Sequence, residues 1–558
     1  MSDAAEKSLS ESVNENLPPS LLSLCREVAR KHEIKAGCIY GSRAGRYARP
    51  GSDYDVLLIL SSYRRGLRFE YPPFSGAHAA VLLSDSKLFE SDVSQGSLGE
   101  FLSARLLGPY IPVINEKYLL EQELRTKRRV AEEELRDVVV RYGSMARGLL
   151  ITPEYFALSR LRKMAGLHPA LMYGYSRMLQ GDLRALNLPR VSSGYETVLK
   201  DLEKKGIIHF VEDKVQLQEE FLDRVMSRRS VEKMENVIGM GRRVFYSYMS
   251  RGRREDPEFE TLIREVGSTL GREFGPAFQD QKLEDPGNYI YLQTSTGLVN
   301  LGENRSAIEA AQKLRPGVPI TVTPLAGVLN EVYLVTAGEE RFVFKRFTDW
   351  LTLKWFTLSL VTLGTKKFSL MGQSRLSNEY GMNRFLSDNR VPVPNIVHVN
   401  LHERFLLQEY VDGLNLSELV RRAAETNQIS ASDYETAVAL GKTLAKIHSL
   451  EISVGDSKPE NFVASKEDTI YVLDLEQAGR RGDTAWDVAV LLFYSGHYSP
   501  LMTKGLEQFT NGFIYGYSSE GDRRVLRKAA SLTYLRVFSV WTSPQVLYKI
   551  SQRLKQEK

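Results

Sequence analysis

Residues 454–462, VGDSKPENF, and residues 471–478, YVLDLEQA, decide how the C-terminal half folds. The first stretch crowds Gly, Asp, Ser, Pro and Asn, all turn formers, into one polar loop. The second is an apolar strand that ends in an acid, Asp474, thirteen residues after Asn461. Taken singly, each is an ordinary turn or strand end. As an ordered set they offer a carboxylate (Asp456), an ammonium (Lys458), an amide (Asn461) and a second carboxylate (Asp474). That set suits phosphoryl transfer, which needs in-line positioning and charge neutralisation more than covalent chemistry. Asp456 would accept a hydroxyl proton, and Lys458 would neutralise charge on the transferred group. Asn461 and Asp474 would hold magnesium, or manganese, between phosphate oxygens.

Upstream segments extend the set in the order a nucleotide cleft requires. GVLNEVYLV (327–335) reads as a turn between strands, with Gly327 covering phosphates. RFVFKRF (341–347) is a strand carrying Lys345, whose ammonium would reach the α and β phosphates of ATP. RLSNEYGMNRFL (375–386) is helical and places Glu379 where it would pair with Lys345. Strands come first and helices follow, which predicts a two-lobed α+β domain over residues 301–558. The insert between Lys345 and Glu379 mixes Trp350, Trp355 and Phe368 with Lys354, Lys366, Lys367 and Arg375. Those side chains suit RNA by stacking and phosphate contact, and equally suit a helix packed on the lobe.

Residues 315–500 resemble the protein-kinase-like superfamily, in particular its atypical branch. GVLNEVYLV, LAKIHSL (444–450) and DLEQAGRRGDTAWDVAVLL (474–492) are similar to aminoglycoside and choline phosphotransferases, whereas DSKPENF is closer to the protein-kinase catalytic loop. The absence of a recognisable activation segment after Asp474 is similar to the RIO kinases and the small kinase of the KEOPS tRNA-modification complex. The resemblance implies ATP as co-substrate with magnesium, and makes Asp487 a brace for the catalytic loop. Two positions depart from the family. Val454 stands before Gly455 where histidine is usual, which weakens a packing role. Asp474 is followed by Leu-Glu-Gln in place of Phe-Gly, which is normal in the atypical branch and argues against a switchable activation loop.

The N-terminal part holds a second constellation, GSRAGRYARPGSDYDVLLIL (41–60). Asp53 and Asp55 are two apart on a strand-like run, so their carboxylates would share a face. Such a pair suits magnesium, and Gly41-Ser42 would offer backbone amides and a hydroxyl to a triphosphate. Residues 21–118 resemble the minimal nucleotidyltransferases of the DNA polymerase beta superfamily. The resemblance carries over Gly41 and Ser42 as nucleotide-binding positions and Asp53 and Asp55 as metal-binding positions. It also implies a third carboxylate on the next strand, HAAVLLSD (78–85), where Ala80 stands instead. Glu70, Asp85, Glu90 and Asp92 are the acids near enough in sequence to substitute.

Between these two regions the pattern is helical and basic over 119–190. Helix, strand, turn and strand follow over 191–222, the pattern of a winged helix. A basic helical linker is expected over 223–300. Residues 224–254 carry nine Lys or Arg against two acids. The polar, acidic stretch 1–20 reads as a disordered tail and not as a signal peptide. The predicted architecture is therefore multidomain α/β plus α+β: a nucleotidyltransferase-like head, a helical and winged-helix middle, and a two-lobed kinase-like C-terminal domain.

Composition bounds the function. The 558 residues carry 42% hydrophobic and 26% charged side chains, which excludes wholesale disorder. Two cysteines, Cys25 and Cys38, exclude a disulfide scaffold and a cysteine-rich zinc cluster, and fit a cytoplasmic chain. No apolar run reaches the roughly 20 residues that span a bilayer, so no membrane partner is expected. A net charge of +5 leans mildly towards a polyanion. The expected activity is ATP- and magnesium-dependent phosphorylation of a macromolecular hydroxyl, with RNA such as tRNA as acceptor and NMP transfer as a second activity of the head. The alternatives are an atypical Ser/Thr protein kinase with a protein substrate, a small-molecule phosphotransferase, and a non-catalytic RNA-binding scaffold.

Overall fold

The computed structural model describes residues 20–64, 66–167, 169–227, 284–325, 331–349, 371–539 and 541–557. Most of the tail at 1–20, most of the basic linker at 223–300, Gly327, and the aromatic and basic insert before residue 371 lie outside the described residues. The chain divides into two compact units, Met1–Val140 with Leu150–Ile290, and Arg141–Leu149 with Tyr291–Lys558.

In the first unit, a mixed sheet runs in the order Leu67–Glu70, Ala77–Asp85, Tyr54–Leu60, Ile34–Tyr40, Ile111–Ile114, with Pro73–Phe74 paired to Ala77–Asp85. Only Tyr54–Leu60 and Ala77–Asp85 run parallel. Both faces are covered, which explains why VLLIL reads as an unbroken apolar run. Val56, Leu58 and Leu60 pack with Leu21, Cys25 and Val28 of the helix Ser20–Ala29. Leu57 and Ile59 face Phe89 and Val93 of the helix Ser86–Gln95. A long helix, Glu116–Tyr142, follows. Arg160, on the helix Pro153–Leu167, is buried against Glu100, Glu133 and Glu134. An arginine so placed is tolerable only because the carboxylates match its charge and its fork of donors.

Three helices, Pro169–Met178, Gly181–Ser192 and Tyr195–Lys204, precede a hairpin of Ile208–Val211 and Lys214–Leu217. Glu212 takes the left-handed turn position of that hairpin, with φ of 57°. Val215 also pairs with Ile151, so a strand ahead of the helices joins the hairpin behind them.

The second unit opens its main sheet with five antiparallel strands in the order Ile320–Pro324, Glu331–Ala337, Glu340–Arg346, Phe405–Glu409, Ile396–Asn400. The helix Gly372–Asp388 lies between the third and fourth of these in the chain. A mostly helical part follows, built on Leu416–Glu425, Ala431–Ser449, Thr484–Ser495 and Lys504–Glu520. Its core joins Leu440, Leu444, Val488, Leu492, Phe509 and Phe513. Short strands Phe462–Ser465 and Ile470–Val472 pair across the tight turn between the two stretches that decide the fold. No helix among the described residues is long and apolar enough to cross a membrane.

Candidate active site

Lys345 is on the strand Glu340–Arg346, in register with Val332 and Leu406, and is almost fully buried. Its ammonium donates to Glu379 Oε1 at 2.9 Å and to the Leu473 carbonyl at 2.7 Å, with Asp474 Oδ1 at 4.0 Å. An ammonium has three donors, so one remains for a phosphate oxygen. Burial works against the charge, but Glu379 and Asp474 outweigh it and hold the Lys345 pKa above the ordinary lysine value. Burial raises the Glu379 carboxyl above the ordinary range, while Lys345 pulls it back down. Glu379 is fixed from its other oxygen too, by the Leu475 amide at 2.6 Å.

Leu473 links the two halves of the site. Its amide donates to the Asn461 carbonyl at 2.9 Å, while its carbonyl receives Lys345. Asn461 Nδ2 donates to the Asp456 carbonyl at 2.7 Å, which leaves Oδ1 as the acceptor that a cation would use. Lys458 Nζ lies 3.2 Å from the Asp456 carboxylate and 5.6 Å from the centre of the Tyr494 ring. Burial opposes the Lys458 charge, and Asp456 more than restores it, raising its pKa. Asp456 and Asp474 keep about a quarter of their side-chain surface exposed, open to a ligand.

Among the described residues no cluster of three or more His, Cys, Asp or Glu forms a metal cage. Asn461 and Asp474 still fit magnesium, which takes oxygen donors and is held by one or two protein ligands plus phosphates.

The loop that begins at Val454 is braced by Asp487. Its carboxylate accepts from Val454 N at 2.6 Å and Gly455 N at 2.7 Å, and lies 3.1 Å from His448 Nε2. Ser457 Oγ donates to the Asp487 carbonyl and Trp486 Nε1 to the Gly455 carbonyl, both within 2.8 Å. Val454 therefore leaves no hole: it is fully buried in the helical core, and an imidazole six residues upstream meets the brace. The reading of the residues missed His448, although LAKIHSL was in view. It also missed a second buried ion pair, Arg375 with Glu476 at 3.1 Å. Arg375 is one helical turn before Glu379, and Glu476 is two residues after Asp474. That spacing was the signal that could have found it.

The N-terminal constellation is assembled differently. Asp55 sits on one rung of the sheet between Tyr40 and Ala80. Gly41 has φ of +73°, and a Cβ there would collide with Asp55 Oδ2, so only glycine lets the backbone approach this closely. Ser42 is half-buried in the short helical turn Gly41–Ala44, while Asp53 is exposed just ahead of the strand. Arg43 donates to the Ser52 carbonyl at 2.5 Å and lies over the Tyr54 ring. Burial pushes the Asp55 carboxyl up to about 6, with Arg105 and Arg43 pulling it down and Asp53 adding to the rise. Arg105, missed in the sequence, lies over Tyr40 at 5.0 Å.

The register sets Ala80 directly beside Asp55, where the third acid would stand, and the candidate substitutes are engaged elsewhere. Asp92 is buried under four backbone amides, those of Leu98, Glu100, Leu102 and Ser103. Asp85 accepts from Tyr63 N and Lys87 N. Glu90 pairs with Lys35, and Glu70 with Arg30 and Arg68. Asp53 and Asp55 are the two acids that would hold a cation here, and the three-acid set of a metal pair is not met. Tyr47, Arg49, Arg177, Gln180, Gly181 and Leu183 line a cleft of about 350 Å³ in the same unit.

No curated protein matches the chain. Residues 321–454 match the phosphotransferase enzyme family APH, a stretch that includes Lys345, Glu379 and His448 and stops two residues short of Asp456. In that C-terminal region the chain is similar to phosphotransferases.

Proposed function

We propose that the second unit is an ATP- and magnesium-dependent phosphotransferase whose acceptor is a hydroxyl of a macromolecule, with structured RNA such as tRNA as the acceptor class. The observation that carries the reading is Leu473, whose backbone amide and carbonyl tie Asn461 to Lys345, with Asp474 next in the chain. In the reaction Asp456 takes the hydroxyl proton as the hydroxyl oxygen bonds to the γ-phosphorus. The bond to the bridging oxygen breaks and ADP leaves, while Lys458 balances the charge on the moving phosphoryl group. Lys345 holds the α and β phosphates, and Glu379 holds Lys345. Magnesium, when bound through Asn461 and Asp474, supplies charge neutralisation between the phosphate oxygens.

RNA is supported by the basic composition of 224–254 and by two arginines and a tyrosine in the cleft of the first unit. It is also supported by the helix-and-hairpin order over 191–222, which is read as winged-helix-like. The nucleotidyltransferase-like head is proposed to bind a nucleotide or an RNA end at Gly41, Ser42, Asp53 and Asp55, with NMP transfer as its second activity. A small-molecule acceptor is the second reading, favoured by the match to the phosphotransferase family.

Labelled ATP incubated with total tRNA, protein fractions or small hydroxylated metabolites separates the readings. Label in tRNA that is lost in Asp456→Ala and Asp474→Ala supports the proposal. Label in protein or metabolites alone overturns its acceptor. No label anywhere leaves a binding scaffold. For the head, NMP incorporation at an RNA 3′ end, lost in Asp55→Ala, is the corresponding result.

A further inference from the structure

Glu379 sits on the helix Gly372–Asp388, and that helix is bonded to a segment more than two hundred residues away in sequence. Residues Arg141–Leu149 belong to the second compact unit, although the chain on either side of them belongs to the first. Within this segment Gly143–Gly148 form a fully buried helical turn. Ser377 Oγ donates to the Tyr142 carbonyl and accepts from Met145 N at 3.1 Å. Ser144 Oγ bonds Asn378 Oδ1 at 3.1 Å, and Asn378 Nδ2 reaches the Glu476 carbonyl at 3.3 Å.

Two glycines make the approach possible. A Cβ on Gly381 would overlap the Ser144 carbonyl, and one on Gly148 would overlap the Tyr380 ring. On the opposite side of the same helix, Arg375 is paired with Glu476 and Glu379 with Lys345. The helix is thus gripped between the site and the turn, with no slack on either face.

We propose that the turn Gly143–Gly148 is a positioning element of the phosphotransferase site, acting through Ser377, Asn378 and Gly381 to hold Glu379 against Lys345. This rests on the phosphotransferase reading for its effect on turnover, but not for its effect on Glu379 itself. The role is not one that strand and helix order alone would reveal, because the matched phosphotransferase region begins at residue 321. It makes the activity of the C-terminal lobes depend on a piece of chain from the helical middle.

The test uses the full chain and two variants, Ser377→Ala and Gly381→Ala. Turnover of γ-labelled ATP with magnesium gives kcat and KM, and amide hydrogen exchange follows residues 473–478, which include the Leu475 amide held by Glu379. The proposal expects kcat to fall about tenfold in Ser377→Ala, as for one lost buried hydrogen-bonding group, with KM for ATP within about twofold. Gly381→Ala should lose more. Exchange at 473–478 should quicken in both, while residues 331–346 keep their protection.

Repeating Ser377→Ala in a Glu379→Gln background separates positioning from general destabilisation. If the turn acts through Glu379, the second change adds less than about twofold, whereas a merely structural role multiplies the two losses. Multiplied losses, or unchanged exchange at 473–478, overturn the proposal. If the parent chain turns over no ATP but exchange responds as described, the phosphotransferase reading fails and the positioning of Glu379 stands.

Discussion

His448 Nε2 stands 3.1 Å from Asp487 Oδ2, and the same carboxylate receives the amides of Val454 and Gly455. Because a carboxylate only accepts, Nε2 carries the proton, and Nδ1 meets the Tyr517 hydroxyl at 2.7 Å. Three donors from two directions thus converge on one buried acid, and Asp456 follows Gly455 directly. Asp487→Asn swaps an acceptor oxygen for a donor that faces other donors. It should cost about 2–4 kcal/mol of stability, read by urea unfolding, and lower kcat well beyond the effect on KM. An unfolding midpoint equal to the parent's would remove Asp487 as the brace.

Lys345 has two of its three protons committed, to Glu379 and to Leu473. Lys345→Met should therefore reduce kcat by about 10²–10³, the usual effect of removing one preorganised donor from a charged transition state. Lys345→Arg should fail to restore it, since a planar fork cannot replace a compact ammonium between those two acceptors. Steady-state turnover of labelled ATP reads both, and an arginine variant with parental kcat would contradict the geometry.

Asp55 provides a pH-dependent signature that needs no substrate. Its carboxyl ionises near 3.8 in an ordinary setting and at about 6 in the fold, mainly because of burial. Between those values the folded chain keeps a proton that the unfolded chain has released. Stability is therefore lost as pH rises through this window, and it stays lost above it. Asp55→Asn should raise stability at pH 8 by on the order of 1–3 kcal/mol, with the gain shrinking towards pH 4.5. Urea unfolding of both chains across that range is the measurement, and a gain independent of pH would refute the assignment.

Gly41→Ala should be worse tolerated than an exposed loop glycine. The new methyl group meets Asp55 Oδ2 in a backbone conformation, φ +73°, that side chains avoid. A loss of about 1–3 kcal/mol in unfolding, together with weaker retention of labelled nucleoside triphosphate by the full chain, is expected. Parental stability would mean that the turn and Asp55 are farther apart than the close approach requires.

The elements that position both sites were legible because local pattern and burial agree. YDVLLIL and AHAAVLLSD are apolar enough to be buried on both faces, and they are neighbouring strands. YVLD is apolar because Val472 is buried beside Phe462, and its acid comes just after the strand ends. Single-sequence reading could not supply partners distant in the chain. His448, Glu476 and Arg105 carry no local mark of the distant partners they meet in the fold. The turn at 143–148 gave no sign at all, because small residues announce a close approach only when the other surface is known.

The central claim is that Asp456, Asp474 and Lys345 serve one bound ATP. Single-turnover transfer of the γ-phosphoryl group from labelled ATP, with magnesium and total RNA, compares the parent with Asp456→Asn and Asp474→Asn most directly. The account predicts transfer by the parent, loss of transfer in both variants, and continued ATP binding by Asp456→Asn, because the proposal gives that residue the acceptor's proton and no contact with ATP. Transfer at the parental rate in either variant would contradict it.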